Sequence, residues 1–376
     1  MKVCVITGIF PPDIGGPATY VSHLATSLHQ QGEDVCVVTL GDDRQPFPFP
    51  VRRVSRKVPL LLRMFLLWLT LIRTGWNADV WYINGLELPA VLAGSLLRKR
   101  LIMKVVGDYA WERAMNTGLT TDSIDDFQQK KQRWQVELHK AARAWLARQV
   151  EKIITPSQYL KTLVHGWGVS EHKIQVIYNA VEPCSEQLAS QSEIRAQLGV
   201  APQDRLIITI GRLVAWKGID QLIHLLPELE ESVKLLIVGD GPEKNRLTEL
   251  AQTLNVAHRV KFLGKVRRAQ GFAYMHASDI FVLNTAYEGF SHVLLEAMMI
   301  GIPVITTSVC GNPELVEHQK NGLLFPQGDV AAMKEQIKSV LHDPDLRETL
   351  IHGGQRSLPQ NAWEKLLRDT LDALRQ

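Results

Sequence analysis

The chain has 376 residues, 45% of them hydrophobic, with 42 Lys and Arg against 39 Asp and Glu, a formal net charge of +3. That length suits two domains of ordinary globular composition, and excludes a disordered, collagen-like or coiled-coil protein. The small basic excess argues against a nucleic-acid partner, and four cysteines at 4, 36, 184 and 310, without CxxC, offer neither a disulfide framework nor metal-ligand spacing. A reducing, cytoplasmic setting is expected.

The apolar run 2–7 is short and lacks a small-residue cleavage site, so it reads as a first strand instead of a signal peptide. It leads through Gly8, Pro11, Pro12, Gly15 and Gly16 into a helix near Ala18. Adjacent glycines before a helix let backbone amides approach a phosphate or sugar hydroxyl, and equally serve a plain turn. The spacing is not GxGxxG, so no nicotinamide cofactor is indicated. A second strand is expected at 34–39, and Asp42 and Asp43, beside Pro46 and Pro48, read as a solvated loop.

Residues 58–76 are strongly apolar, but Arg63 and Arg73 leave only nine uninterrupted positions, where a span needs about 20. With the basic flank Arg52, Arg53, Arg56 and Lys57, two readings stay open for 52–76. One is an amphipathic helix at an anionic membrane surface, peripheral at the inner face; the other is a helix buried on a sheet. Strands follow at 80–84, 101–106 and 152–156. Asp122, Asp125 and Asp126 read as a solvated loop before a helix over 129–150, lacking calcium-loop spacing.

The second half repeats the rhythm with strands at 205–210, 234–238, 260–263, 280–284 and 303–306. Short Val- and Ile-rich runs alternating with helical patterns predict parallel strands covered on both faces. The expected fold is α/β, two Rossmann-like doubly wound parallel-sheet domains facing a central cleft. Domain one is 1–182 and domain two 183–358, divided within the polar stretch 181–203, and the amphipathic helix 359–376 is expected to pack back on the first domain. Ligands in such folds bind beyond the carboxyl ends of strands.

Two loops there carry chemistry. Gly211, Arg212, Lys217 and Gly218 follow strand 205–210; an Arg fork and a Lys point charge five residues apart can converge on one diphosphate, or be two solvated cations. After strand 280–284 come Glu288, Gly289, Phe290, Ser291, His292, Val293, Leu294 and Glu296. Ser291 is placed to cap a helix whose first amides favour an anion. Carboxylates beside such a cradle make sense where they accept hydrogen bonds from neutral hydroxyls, which a nucleotide sugar supplies on its ribose and its hexose.

Taken together in this order, these motifs resemble the family-4 (group 1) retaining glycosyltransferases of GT-B fold. Also part of the resemblance are Gly239-Asp240-Gly241-Pro242-Glu243, the Gly15-Gly16 loop, Asn179-Ala180-Val181 and the helix at Trp363. It covers nearly the whole chain. It implies that Arg212 and Lys217 hold the donor diphosphate with backbone amides at 291–294. Glu296 would bind the ribose, Glu288 the donor sugar, Val266 would lie where the base is contacted, and Gly16 at the phosphate and acceptor. His292 is expected to act locally at the sugar or the helix start. The turn at Gly239 is expected to be structural.

One departure stands out: where the family commonly carries a His after the fourth strand, this chain has Gly107, leaving Asp108, then Glu112, as the nearest polar groups. Arg212, Lys217, Glu288 and Asp108 are thus the expected catalytic set. The implied reaction is a retaining, metal-independent transfer of a hexose-type sugar from a nucleotide-diphosphate donor to a glycan or lipid-linked acceptor, as in polysaccharide assembly, with no cofactor. The leaving phosphate takes the acceptor's proton. Rival readings are a nucleotide-sugar epimerase and a non-catalytic nucleotide-sugar-binding scaffold. A hydrolase is excluded, since no GxSxG elbow exists.

Overall fold

The structure, a computed structural model, describes residues 1–13, 15–43, 45–181 and 188–376. Cys184 and the expected boundary at 182/183 lie outside the described residues. The chain divides into two compact units, Met1–Tyr178 with Glu364–Gln376, and Asn179–Trp363.

In the first unit, seven parallel strands, β1 (Lys2–Thr7), β2 (Asp34–Leu40), β3 (Val51–Val54), β4 (Val80–Asn84), β5 (Arg100–Lys104), β6 (Lys152–Thr155) and β7 (Ile174–Val176), pair in the order β3-β2-β1-β4-β5-β6-β7. The second unit holds β8 (Arg205–Ile210), β9 (Val233–Val238), β10 (Val260–Gly264), β11 (Ile280–Leu283), β12 (Val304–Thr307) and β13 (Leu323–Phe325), in the order β10-β9-β8-β11-β12-β13. The two sheets are parallel throughout. Their central strands are buried along nearly their whole length, which is why the sequence shows apolar runs without alternation. The strands absent from the sequence reading, β3, β7 and β13, are three- or four-residue edge strands, too short to leave a pattern.

The order of each sheet reverses direction beside its first strand, between β1 and β4 and between β8 and β11. Helices on either side of such a reversal leave a crevice at the carboxyl ends of those two strands. In the first unit Gly8 and Gly85 meet there: a Cβ on Gly85, at φ +112°, would lie 3.2 Å from the Gly8 amide. In the second unit the core between sheet and helices includes Ile207, Ile237, Val282, Ile305 and Leu222.

Helix Leu60–Gly75 divides its sides. Leu67, Leu71 and Gly75, at helical spacing, are buried, and the Trp81 indole donates to the Gly75 carbonyl at 3.2 Å. Leu61 and Phe65 stay exposed, so neither reading of 52–76 is displaced. Among the described residues no helix is long and apolar enough to cross a membrane. The acidic stretch expected as loop is partly helix Ile124–Gln129, capped by Ser123, and the long helix then begins at Trp134 and ends at Gln149. The polar stretch 181–203 contains helix Gln191–Leu198, closed by a reciprocal Ser190–Glu193 capping box. Helix Trp363–Arg375 is tied within the first unit: Arg375 bonds Glu33 at 2.6 Å and Arg100 donates to the Leu374 carbonyl at 3.2 Å.

Candidate active site

β8 and β11 flank the reversal of the second sheet, and the two chemistry-bearing loops leave their carboxyl ends. After β8 the chain passes Gly211 and Arg212, makes a short turn at Ala215–Lys217, and starts a helix from Gly218 in left-handed conformation, φ 54°. A Cβ at Gly218 would lie 2.6 Å from Asn284, so only glycine lets this turn close on β11's end. Asn284 seals the contact by donating to the Gly218 carbonyl at 2.9 Å, and the Ala286 amide donates to the Trp216 carbonyl at 2.7 Å. The two loops are thereby one rigid piece. Their charged ends meet: Lys217 Nζ is ion-paired with Glu288 Oε2. Arg212 is exposed, with no ion-pair partner among the described residues.

The turn at Gly239 braces this piece from β9. A Cβ at Gly239, φ +135°, would sit 1.8 Å from the Gly211 carbonyl oxygen; across the turn the Leu213 amide donates to the Asp240 carbonyl and the Glu243 amide to the Leu213 carbonyl, each at 3.1 Å. On the other side, the Gly311 amide donates to the Glu288 carbonyl at 3.0 Å, and Asn179 Nδ2 to the Phe290 carbonyl at 3.0 Å. Asn361 in turn donates to the Asn179 carbonyl, which ties 179–181 into the second unit.

Ser291 caps helix His292–Ile300, its hydroxyl accepting from the Leu294 amide. The first-turn amides of such a helix lack intrahelical acceptors and favour an anion. Gly289, Phe290, Ser291 and Leu294 are buried, whereas His292, Val293, Glu288 and Glu296 are half-buried. Glu296 accepts from Arg268 Nε at 2.7 Å; burial pushes its carboxyl up from the ordinary value while Arg268 pulls it down. Val266 lies half-buried on the short loop between β10 and the helix that Arg268 opens. Two cations, a helix N-terminus and two carboxylates thus follow the carboxyl ends of β8 and β11, a set suited to a diphosphate flanked by polyols.

Comparison with known proteins decides the family. The family model "Glycosyl transferases group 1" matches residues 190–357 and "Glycosyl transferase 4-like domain" matches 15–180. The chain belongs to the group 1 glycosyltransferases. The uncharacterized glycosyltransferase MJ1607 of Methanocaldococcus jannaschii is 28% identical over 99% of this chain and 97% of its own length. The lipopolysaccharide core biosynthesis glycosyltransferase LpsD of Rhizobium meliloti is 31% identical over 57% of this chain and 60% of its own. The crystal structure of Anabaena Alr3699/HepE in complex with UDP and glucose superposes with a TM-score of 0.83 at 22% identity, covering 100% of this chain and 99% of that one. The fold of this glycosyltransferase is GT-B.

Of the residues expected from sequence, Gly211, Arg212, Lys217, Val266, Glu288, Gly289, Phe290, Ser291, His292, Val293, Leu294 and Glu296 belong to the second unit, and Gly16 and Asp108 to the first. Gly16 opens helix Gly16–Gln30 after the loop that leaves β1. Asp108 is fully buried and its oxygens are taken: Oδ1 accepts from the Ala110 and Trp111 amides, Oδ2 from Gln128 and Arg143. The expectation that Asp108 is a catalytic group gives way to a positioning one, because a carboxylate so committed caps helix Tyr109–Asn116 and anchors Arg143. Glu112 lies half-buried in that helix's first turn. Sequence reasoning missed Arg268; its signal was the Arg267-Arg268 pair opening a helix beside the expected base site. Lys104 and Glu87 were missed too. Lys104 is buried at the end of β5, and Glu87 is half-buried three residues past the end of β4; burial lowers the pKa of the first and raises that of the second. Among the described residues, no cluster of three or more His, Cys, Asp and Glu side chains could hold a metal.

Proposed function

We propose that this glycosyltransferase moves a hexose-type sugar from a nucleotide-diphosphate donor, with retention of anomeric configuration and without a metal, to a glycan or lipid-linked acceptor in polysaccharide assembly. The observation that carries the donor reading is the single rigid piece formed by the loops of β8 and β11, which brings Lys217 to Glu288 beside Arg212. UDP is the first nucleotide to test, since Alr3699/HepE was crystallised with UDP and glucose. A lipid-linked acceptor is supported by LpsD's part in lipopolysaccharide core biosynthesis, and by the apolar, basic segment 52–76, the proposed membrane contact.

Departure of a nucleoside diphosphate places negative charge on the leaving phosphate and positive charge on the sugar ring. Arg212, Lys217 and the helix end at Ser291 supply preorganised donors for the first, the part a divalent cation plays elsewhere. When a donor arrives, Lys217 turns from Glu288 to the diphosphate, and Glu288 is released to the sugar hydroxyls. Glu296 accepts from the ribose. With Glu288 occupied at remote hydroxyls, no protein nucleophile is placed at the anomeric carbon, and the leaving phosphate takes the acceptor's proton on the face it vacates. Asp108 acts by position, holding the first turn of helix Tyr109–Asn116.

Calorimetric titration with UDP, GDP, ADP and TDP, with and without EDTA, on wild type and Lys217→Ala, tests the cradle. One nucleotide binding regardless of EDTA, and lost in the variant, is expected. Proton NMR of the product then reads the anomer, and inversion overturns the retaining mechanism. Binding without transfer or donor hydrolysis across a broad acceptor panel would move the reading to a scaffold, and donor conversion without any acceptor to an epimerase.

A further inference from the structure

Cys4 and Cys36 form no motif in the sequence, yet the fold sets them side by side. β1 and β2 run parallel with Cys4 and Cys36 as register partners, so both side chains leave the same face of the sheet. Adjacent strands run about 4.8 Å apart, within the Cα separations that a disulfide spans. The two thiols are free and hydrogen-bonded to each other. A single buried cysteine is an ordinary small core residue. Two in contact at one register position are a dithiol.

The surroundings make the two thiols unequal. On its other side Cys4 has Trp81 of β4 as register partner, whose ring lies against Gly75 of helix Leu60–Gly75, and Cys4 is fully buried. Cys36 is half-buried. β3 first pairs with β2 at Val37, so no β3 residue pairs with Cys36 on the outer side. The hydrogen bond from Cys4 outweighs burial and holds the Cys36 thiol below its ordinary pKa, while the same bond and burial push the Cys4 thiol up. The thiolate is the reactive form, so Cys36 is placed to attack and Cys4 to resolve.

We propose that Cys4 and Cys36 are a redox-active dithiol, a modification site at which a peroxide converts the two thiols into a disulfide bridging β1 and β2. The Cys36 thiolate attacks one peroxide oxygen and the O–O bond breaks. The other oxygen leaves with the proton that Cys36 has released, as water or an alcohol, and Cys36 becomes a sulfenic acid. Cys4 Sγ then attacks the Cys36 sulfur, the S–O bond breaks, and the departing hydroxide takes the Cys4 proton as water. The dithiol gives up two protons and two electrons, which the peroxide receives. This chemistry stands apart from the donor and acceptor readings.

Peptide mapping of the full chain after hydrogen peroxide treatment tests this. Trypsin cuts after Lys2 and Arg44 and nowhere between, so both cysteines fall in the one peptide 3–44. After peroxide, then iodoacetamide, that peptide is expected to carry no alkyl group and to be lighter by two hydrogens than the reduced form. Dithiothreitol before alkylation should restore two alkylatable thiols. Cys4→Ala, which removes the resolving thiol, should leave Cys36 as a sulfenic acid that dimedone traps, and Cys36→Ala should leave Cys4 unreacted. Two alkylatable thiols surviving peroxide in the wild type overturn the proposal. So does a bridge from this peptide to Cys184 or Cys310, or a Cys4–Cys36 bridge no more frequent in the folded chain than in urea. The wild-type map decides by itself if either variant misfolds.

Discussion

Arg268 Nε donates to Glu296 Oε1 at 2.7 Å, and the guanidinium carbon lies 4.7 Å from the centre of the Phe272 ring. The two belong to helices that pack together in the second unit, one following β10 and the other β11. Burial alone would hold Glu296 toward its neutral form, whose hydroxyl donates instead of accepting. The neighbouring cation works against that shift at Oε1, and the proposed function gives Oε2 to the ribose.

Arg268→Gln should therefore weaken UDP binding in a pH-dependent way. Without the cation, desolvation is unopposed and Glu296 takes up its proton at higher pH than in the wild type. Binding that needs the carboxylate then declines at higher pH as the solution is acidified, and recovers on the alkaline side. Titrations of wild type and variant from about pH 5 to 8 read this directly. A uniform loss of affinity with an unshifted profile would leave Arg268 a mere contact.

Lys217 and Glu288 are ion-paired, yet the proposed chemistry sends them to different groups. Lys217→Ala removes a cation from the leaving group and should cut kcat/KM by about 100-fold or more, with UDP affinity falling in parallel. Glu288→Gln frees Lys217 from its partner, so UDP affinity should hold or improve while kcat falls. Equal losses of UDP binding in both variants would contradict the exchange of partners.

Asp108 and Arg143 make a buried pair, with Arg143 stacked 4.1 Å from the Trp167 ring. Asp108→Asn keeps an acceptor for the Ala110 and Trp111 amides but leaves the guanidinium without its counter-charge, at a cost of about 3 kcal/mol. Urea unfolding measures it. A loss of transfer at unchanged stability would instead return Asp108 to the reaction itself.

The parallel sheets were legible because buried strands leave apolar runs that helical segments separate, and β8 and β11 were found from short apolar stretches alone. Lys217 and Glu288 could be singled out because each lies just past such a run, where glycine and serine announce a turn and a cap. Their contact was not legible: it depends on Asn284 reaching the Gly218 carbonyl, a packing event 66 residues apart in sequence. Asp108 misled for the same reason. An acidic residue after a strand looks the same whether it meets a ligand or, as here, is closed off by Arg143 and Gln128 from helices further along. The exposure of Leu88, Leu92 and Leu96 on helix Glu87–Leu96 escaped notice because a helix apolar on two sides reads as a buried one until its neighbours are placed.

Lys104 ends β5 with its ammonium 3.7 Å from the Tyr20 ring, and burial pulls its pKa down to about 7. The unfolded chain keeps this proton up to about pH 10. Between the two values the unfolded state binds a proton the folded state has released, so stability rises with pH across that window and the penalty is greatest below it. Lys104→Met, of similar length, removes the titration: the variant should gain most over wild type near pH 7 and lose that advantage as pH approaches 10. Comparing urea midpoints of the two proteins at pH 7, 8 and 9 cancels what other groups contribute. If the difference between them stays constant with pH, Lys104 does not titrate in this range and its ammonium is held by the aromatic face instead.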